Sequence, residues 1–253
     1  MYSNLATVYV PSPFYGDRNT KIDRITIHHM AGNFTVETCG NIFQRKGRNA
    51  SSNYGIGSDG RIACYVDEER RAKTSSNWKN DARAITIEVA NNVCCGDWHV
   101  SDKAYDSLIK LLCDVCTRHN ILPLVWNDDK QKRKSQADGS NMTVHRDFSA
   151  TLCPGDYLFS RMRDIANEVN KQCGCNNIVS DENSEQFLVQ IDTNVLNIRT
   201  SPGTAYAIKG VVRRNQVYTI VEVRKVGTIK WGRLKSGAGW ICLKYTKPYE
   251  RKE

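Results

Sequence analysis

Asp23-Arg24-Ile25-Thr26-Ile27-His28-His29 alternates apolar and polar side chains, and Ala84-Ile85-Thr86-Ile87-Glu88-Val89-Ala90 repeats the alternation. Successive side chains of a strand point to opposite faces. Ile25, Ile27 and His29 therefore share one face of the first strand, and Thr26 and His28 the other. In the second strand Ile85, Ile87 and Val89 form the apolar face, while Ala84, Thr86, Glu88 and Ala90 form a small or polar one. If the two strands are neighbours, His28 and Glu88 project from the same side, away from the apolar core. Around them, residues 54–66 read as a hairpin turning at Ser58-Asp59-Gly60. Helical spacing predicts helices over 36–48, 101–120 and 156–171, with Ser101 as an N-cap and Gly174 as a stop. Strands alternating with helices predict an α/β fold, a mixed central sheet flanked by helices.

The chain has 253 residues, 40% of them hydrophobic and 25% charged, enough to bury a core and too mixed for a disordered, collagenous or coiled-coil protein. Its length fits two unequal domains. No apolar run approaches the ~18 residues that span a bilayer, so no membrane insertion is expected. Met1-Tyr2-Ser3-Asn4-Leu5 lacks a basic stretch followed by an apolar one, and no secretory signal is expected. Residues 172–185 are polar and aperiodic and read as a linker. Beyond them come short strands at 187–191, 196–199, 210–212, 217–223, 231–234 and 239–243, the pattern of a small all-β barrel. The predicted organisation is a domain over 1–171, a linker over 172–185 and a barrel over 186–253. Acidic and basic side chains balance over 1–185, so residues 186–253 carry the entire net charge of +9. That asymmetry points to an anionic partner.

Ten cysteines are present. Cys113 and Cys116 form a C-x-x-C, but they sit where Ala104, Leu108, Leu111, Leu112 and Val115 recur at helical spacing, and read as core-side thiols. Lys130-Gln131-Lys132-Arg133-Lys134 lies in a polar stretch, 127–141, expected to be a surface loop. More telling is Val144-His145-Arg146-Asp147-Phe148-Ser149-Ala150-Thr151-Leu152-Cys153-Pro154-Gly155. A catalytic zinc takes three protein ligands and keeps one position open. His28, His145 and Cys153 would make such a site, with His29 as the rival for the first position.

The segments I-T-I-H-H-M-A-G, S-S-N-Y-G-I-G-S-D-G-R-I, A-I-T-I-E-V-A-N-N and V-H-R-D-F-S-A-T-L-C-P-G together resemble the zinc-dependent N-acetylmuramoyl-L-alanine amidases, the family of phage lysozyme-amidases and peptidoglycan recognition proteins. The likeness covers most of residues 20–171. It implies Zn²⁺ held by His28, His145 and Cys153. It also implies an active-site tyrosine at Tyr54 and a general base at Glu88. Thr151 stands where several members carry a catalytic lysine; its hydroxyl could still donate to an oxyanion. The implied reaction is hydrolysis of the amide joining muramic acid to the L-alanine of the peptidoglycan stem peptide.

Val195-Leu196-Asn197-Ile198-Arg199-Thr200-Ser201-Pro202-Gly203-Thr204, followed by Trp231-Gly232-Arg233-Leu234 and Gly239-Trp240-Ile241, resembles the bacterial Src-homology-3 wall-binding domains. Tyr206, Trp240 and Tyr245 are candidates to line a peptide groove there. Together the two resemblances imply a phage or prophage endolysin of Gram-positive walls, held in the host bacterial cytoplasm until released to the wall, with peptidoglycan as substrate and anionic wall polymers as partners. A cellular autolysin of the same activity and a non-catalytic peptidoglycan receptor are the alternatives. Inactive receptors of the family commonly lack the cysteine ligand, which this chain has. No nucleic-acid partner is expected, because the basic residues accompany no recognition helix or RNA-binding signature.

Overall fold

A computed structural model describes residues 1–175, 186–200, 202–204, 206–226 and 229–249. The chain divides into two compact units, Met1–Ile178 and Val179–Glu253. Along the first run β1 (Val8–Tyr9), β2 (Tyr15–Asp17), β3 (Arg24–His29), α1 (Val36–Gln44), β4 (Tyr54–Ile56), β5 (Ile62–Cys64), β6 (Arg70–Ala72), α2 (Trp78–Arg83), β7 (Ala84–Val89), α3 (Asp102–His119), α4 (Lys130–Ser135), β8 (Met142–Val144), α5 (Asp156–Phe159) and α6 (Met162–Gln172). Six strands make one mixed sheet in the order β1-β5-β4-β7-β3-β8. β3 runs parallel to both β7 and β8, and β4–β5 is an antiparallel hairpin.

The two stretches with period-two alternation are neighbours in register, Ile25 opposite Ile85, Ile27 opposite Ile87 and His28 opposite Glu88. The isoleucines are fully buried and pack with Leu108, Leu111 and Leu112 of α3 and with Ile165 and Val169 of α6. The opposite face is buried as well, but polar. Thr26 Oγ1 and Thr143 Oγ1 lie 2.8 Å apart, the Asn80 amide donates to Thr26 Oγ1 at 3.0 Å, and the Asn53 backbone N–H donates to Thr86 Oγ1 at 3.1 Å. Because these buried groups are all hydrogen-bonded, they form a fixed floor from which His28 and Glu88 project.

α3 begins as expected, with Ser101 Oγ accepting from the Ala104 N–H at 3.2 Å, and ends at Asn120 in the left-handed region. Three expectations need correction. The helix from 36 stops at Gln44 instead of continuing to 48, and Gly47 beyond it has φ of 82°. The helix expected over 156–171 is two helices. At the break the Arg161 N–H reaches back only three residues, to Leu158 O, while Tyr157 O is taken by the Ser160 hydroxyl and the Arg161 guanidinium. Side chains there compete with the helical ladder for a carbonyl. The stretch 127–141 is not a simple surface loop: it holds α4 and a short 3-10 turn at Ala137–Gly139. Asp129 caps α4, and Arg133 is buried against Asp147, with its guanidinium 4.2 Å from the centre of the Trp126 ring.

The second unit contains β9 (Phe187–Ile191), β10 (Val195–Arg199), β11 (Ile208–Arg213), β12 (Val217–Val226), β13 (Ile229–Leu234), β14 (Trp240–Cys242) and β15 (Thr246–Pro248). They pair antiparallel in one sheet, β11-β10-β14-β13-β12-β9-β15, over a core that includes Ile191, Ile220, Trp231 and Ile241. β15 is an addition to the expected strands. Trp240 belongs to that core, whereas Tyr245 is exposed. Most of the expected linker, 176–185, lies outside the described residues. No helix among the described residues is long and apolar enough to cross a membrane.

Candidate metal centre

Three loops and strand ends converge at the C-terminal edge of the parallel strands. β3 delivers His28 from its polar face. β8 ends at Val144, and the 3-10 turn that follows starts at His145. That turn is held by Asp147, whose Oδ2 accepts from the Val144 N–H at 3.1 Å and whose carboxylate is gripped by Arg133. Cys153 arrives on the next loop. Thr151 Oγ1 accepts from its N–H at 3.2 Å, and the Arg146 Nε donates to its carbonyl at 3.2 Å. The loop closes through Gly155, whose φ is 81° and where a Cβ would stand 2.5 Å from the Trp98 Cβ; a side chain cannot be placed there without displacing Trp98.

One donor atom each from His28, His145 and Cys153 lies within 4.8 Å of the others, and among the described residues this is the one such group. Cys153 Sγ is 3.5 Å from His28 Nδ1 and also accepts from the His29 backbone N–H at 3.4 Å. The two imidazole rings are 4.9 Å apart. Nε2 of His28 and Nε2 of His145 are buried without a hydrogen-bond partner, an arrangement that costs free energy unless something else satisfies them. Burial lowers the pKa of His28 well below its ordinary value, with the neighbouring His145 and His29 adding to the effect, and burial lowers His145 too. Both rings are thus neutral, the form that binds metal. Burial, with the Glu88 charge, raises the Cys153 thiol well above its usual range; a cation would reverse that, since a coordinating thiol is deprotonated outright.

His29 is turned to the opposite face. Its ring sits edge-on to Trp98 at 4.9 Å, and burial together with Arg146 brings its pKa to about 4. Glu88 stands beside His28 in the adjacent strand. Its Oε2 is sealed from solvent without a partner, and burial raises its pKa to about 8 against the opposing influence of Arg48.

Tyr54 is not brought to this cluster. It pairs with Ile87, not with Glu88, so its side chain enters the apolar core and is fully buried. Its hydroxyl donates to Glu68 at 2.5 Å and accepts from the Ser3 N–H at 2.7 Å. Glu68 is further held by Arg118 and His119. The β4 residue opposite Glu88 is Gly55, and the Tyr65 hydroxyl occupies the space its side chain would take. Thr151 is near the cluster in sequence, and the contact its hydroxyl makes is with the Cys153 backbone.

A cleft of about 460 Å³ opens beside Glu88 and His145. Arg48, Arg71 and Lys73 line it, and Trp78, 64% exposed, stands on its rim. Sequence reading passed over these residues. The cationic run Arg70-Arg71-Ala72-Lys73 and a tryptophan at a helix start were the available signals, and neither has a periodicity.

Among solved structures the chain is similar to N-acetylmuramoyl-L-alanine amidase LysC from Clostridium intestinale URNW, with 20% identity, 64% of this chain and 96% of that chain covered, and a TM-score of 0.48. It is similar to a selenomethionine derivative of AmpD, with 19% identity, 65% and 96% covered, and a TM-score of 0.49. For the Drosophila peptidoglycan recognition protein SD the values are 19%, 60%, 86% and 0.44. No curated protein matches the sequence. Residues 18–156 match the family model of N-acetylmuramoyl-L-alanine amidase, a span that contains His28, Glu88, His145 and Cys153, and the chain belongs to that family.

Proposed function

We propose that the first unit is a zinc-dependent peptidoglycan amidase that hydrolyses the amide between the lactyl group of N-acetylmuramic acid and the L-alanine of the stem peptide. The observation that carries this reading is the convergence of donor atoms from His28, His145 and Cys153 within 4.8 Å of one another, beside a Glu88 carboxylate whose Oε2 has no partner. The donor set suits zinc. Tetrahedral bonds of ~2.0–2.3 Å separate ligand atoms by about 3.3–3.7 Å, and Cys153 Sγ and His28 Nδ1 are 3.5 Å apart. Two neutral imidazoles and a thiolate would hold the ion with one position open.

Zinc bound there supplies a Lewis acid that polarises the scissile carbonyl and acidifies water. Glu88 Oε2 takes the proton from the attacking water and returns it to the leaving L-alanine amine. Its elevated pKa suits the second task, and a nearby cation would lower it toward the first. Thr151 orients Cys153 through the backbone. Arg48, Arg71 and Lys73 make the cleft attractive to the carboxylates of a stem peptide, and the exposed face of Trp78 can stack on a sugar ring.

The second unit we read as a wall-binding barrel of the bacterial Src-homology-3 type, drawn by its positive charge to anionic wall polymers. An amidase joined to such a module fits a phage or prophage endolysin acting on Gram-positive walls from the host cytoplasm. The complete ligand set favours an enzyme over a non-catalytic receptor. The test is incubation with purified wall: new L-alanine amino termini without new reducing sugars support the reading, and reducing sugars or no products contradict it.

A further inference from the structure

The C-x-x-C of α3 plays no part in the metal centre, yet one of its thiols meets a cysteine from another helix. Cys116 is fully buried, while Cys113 and Cys173 are half-buried and pack against the edge of the main core. Cys113 Sγ lies 3.9 Å from Val169 O in α6, and that same carbonyl receives the Cys173 N–H at 2.9 Å. Cys113 Sγ also lies 3.7 Å from Gln172 Oε1, one residue before Cys173. One turn further along α3, Thr117 Oγ1 is 4.0 Å from Cys173 Sγ. The contacts bracket the two sulfurs from α3 and from the end of α6, and the Cys173 thiol is near enough to raise the pKa of Cys113.

We propose that Cys113 and Cys173 are a disulfide-forming pair, closed by a small-molecule disulfide such as oxidised glutathione. The Cys173 thiol loses its proton to solvent and its sulfur attacks one sulfur of the oxidant, releasing one glutathione thiolate. The Cys113 sulfur then attacks Cys173 in the mixed disulfide and releases the second. Two protein thiols are oxidised to one S–S bond and one oxidant molecule is reduced to two thiols. Other pairings are disfavoured by position. Cys116 is sealed in the core, and Cys175 Sγ is turned toward the Cys173 carbonyl at 3.9 Å. The bond would fasten the end of α6 to α3 and close a loop of about 60 residues, stabilising chiefly by restricting the unfolded chain. It would stay open in reducing compartments and close in oxidising ones. None of this depends on the amidase reading.

The experiment is equilibration of the folded full-length chain with oxidised glutathione, alkylation of remaining thiols, trypsin digestion without reductant and mass spectrometry. Peptide 111–118 should appear joined to peptide 172–199. The link should persist in Cys175→Ala and in Cys116→Ala and vanish in Cys113→Ala and in Cys173→Ala. Oxidation should also raise the thermal midpoint of the wild-type chain by at least about 5 °C, reversibly with dithiothreitol, and leave that of Cys173→Ala unchanged. Absence of the link in oxidised wild-type protein, or its survival in Cys113→Ala or Cys173→Ala, would overturn the proposal. The wild-type result stands even if one alanine variant fails to fold.

Discussion

Glu88 has a buried, unpartnered oxygen and a pKa raised by burial to about 8. In metal-free protein the folded state keeps this proton to about pH 8, whereas an unfolded glutamate releases it near ~4.3. The stability that the protonated form contributes is therefore complete below ~4.3 and lost as pH rises through about 8. Replacing Glu88 by Gln removes the proton equilibrium, so the metal-free Glu88→Gln protein should show a flatter decline of thermal midpoint between about pH 5 and 8 than wild type. An equal decline in both would assign it to other groups. With zinc bound, the same variant should keep its metal and lose ~10²–10⁴-fold in rate, the usual cost of a missing general base; a rate near wild type would demote Glu88 to a structural residue. Tyr54 calls for the opposite outcome. Tyr54→Phe leaves the Ser3 N–H without its acceptor and removes one donor from Glu68, and should cost about 1–3 kcal/mol of stability in a denaturant titration, with the rate per folded molecule nearly unchanged. A large loss of rate at full stability would return Tyr54 to the reaction. That His28 and His29 face opposite ways was legible, because strand alternation separates them. The same rule, applied to Tyr54 through its partner Ile87, places it in the core, but that partnership is a matter of strand register, which no local pattern of residues 54–66 supplies.

At the level of elements, β3, β7 and α3 announced themselves through period and caps, and they carry the sheet and most of its core. α4 did not. It is six residues long, its buried side chain is the charged Arg133, and what holds that side chain is Asp147, beyond β8. No hydrophobic period marks a helix anchored by a long-range ion pair. The pair bears on the site because the same Asp147 carboxylate fixes the turn that starts at His145. Arg133→Ala leaves a buried carboxylate without its partner and should destabilise the protein by about 3–5 kcal/mol, measured by urea unfolding, with weaker zinc retention as His145 loses its support. A change below about 0.5 kcal/mol, in the range of ordinary surface substitutions, would show that the pair is not a structural anchor.

Across the whole molecule, the sequence changes pattern near residue 172 and confines the +9 net charge to residues 186–253. The structure divides into two units, Met1–Ile178 and Val179–Glu253, each with its own core. What the second unit binds is not written in its secondary structure, since its buried aromatics serve the core. Residues 186–253, isolated, should bind whole walls, less so as salt rises, because screening shortens the attraction to ~8 Å at physiological ionic strength. Removal of teichoic acid should weaken binding as well. No binding in a pull-down would remove the targeting role, and binding indifferent to both would make the charge incidental.

The most direct test of the metal centre is zinc content and L-alanine release measured side by side in single variants. His28→Ala, His145→Ala and Cys153→Ser should each lose the ~1 zinc per chain expected for a single three-ligand site and lose wall hydrolysis with it, while His29→Ala keeps its zinc. Full hydrolysis by zinc-free protein, or zinc lost from His29→Ala and retained in His28→Ala, would contradict the assignment.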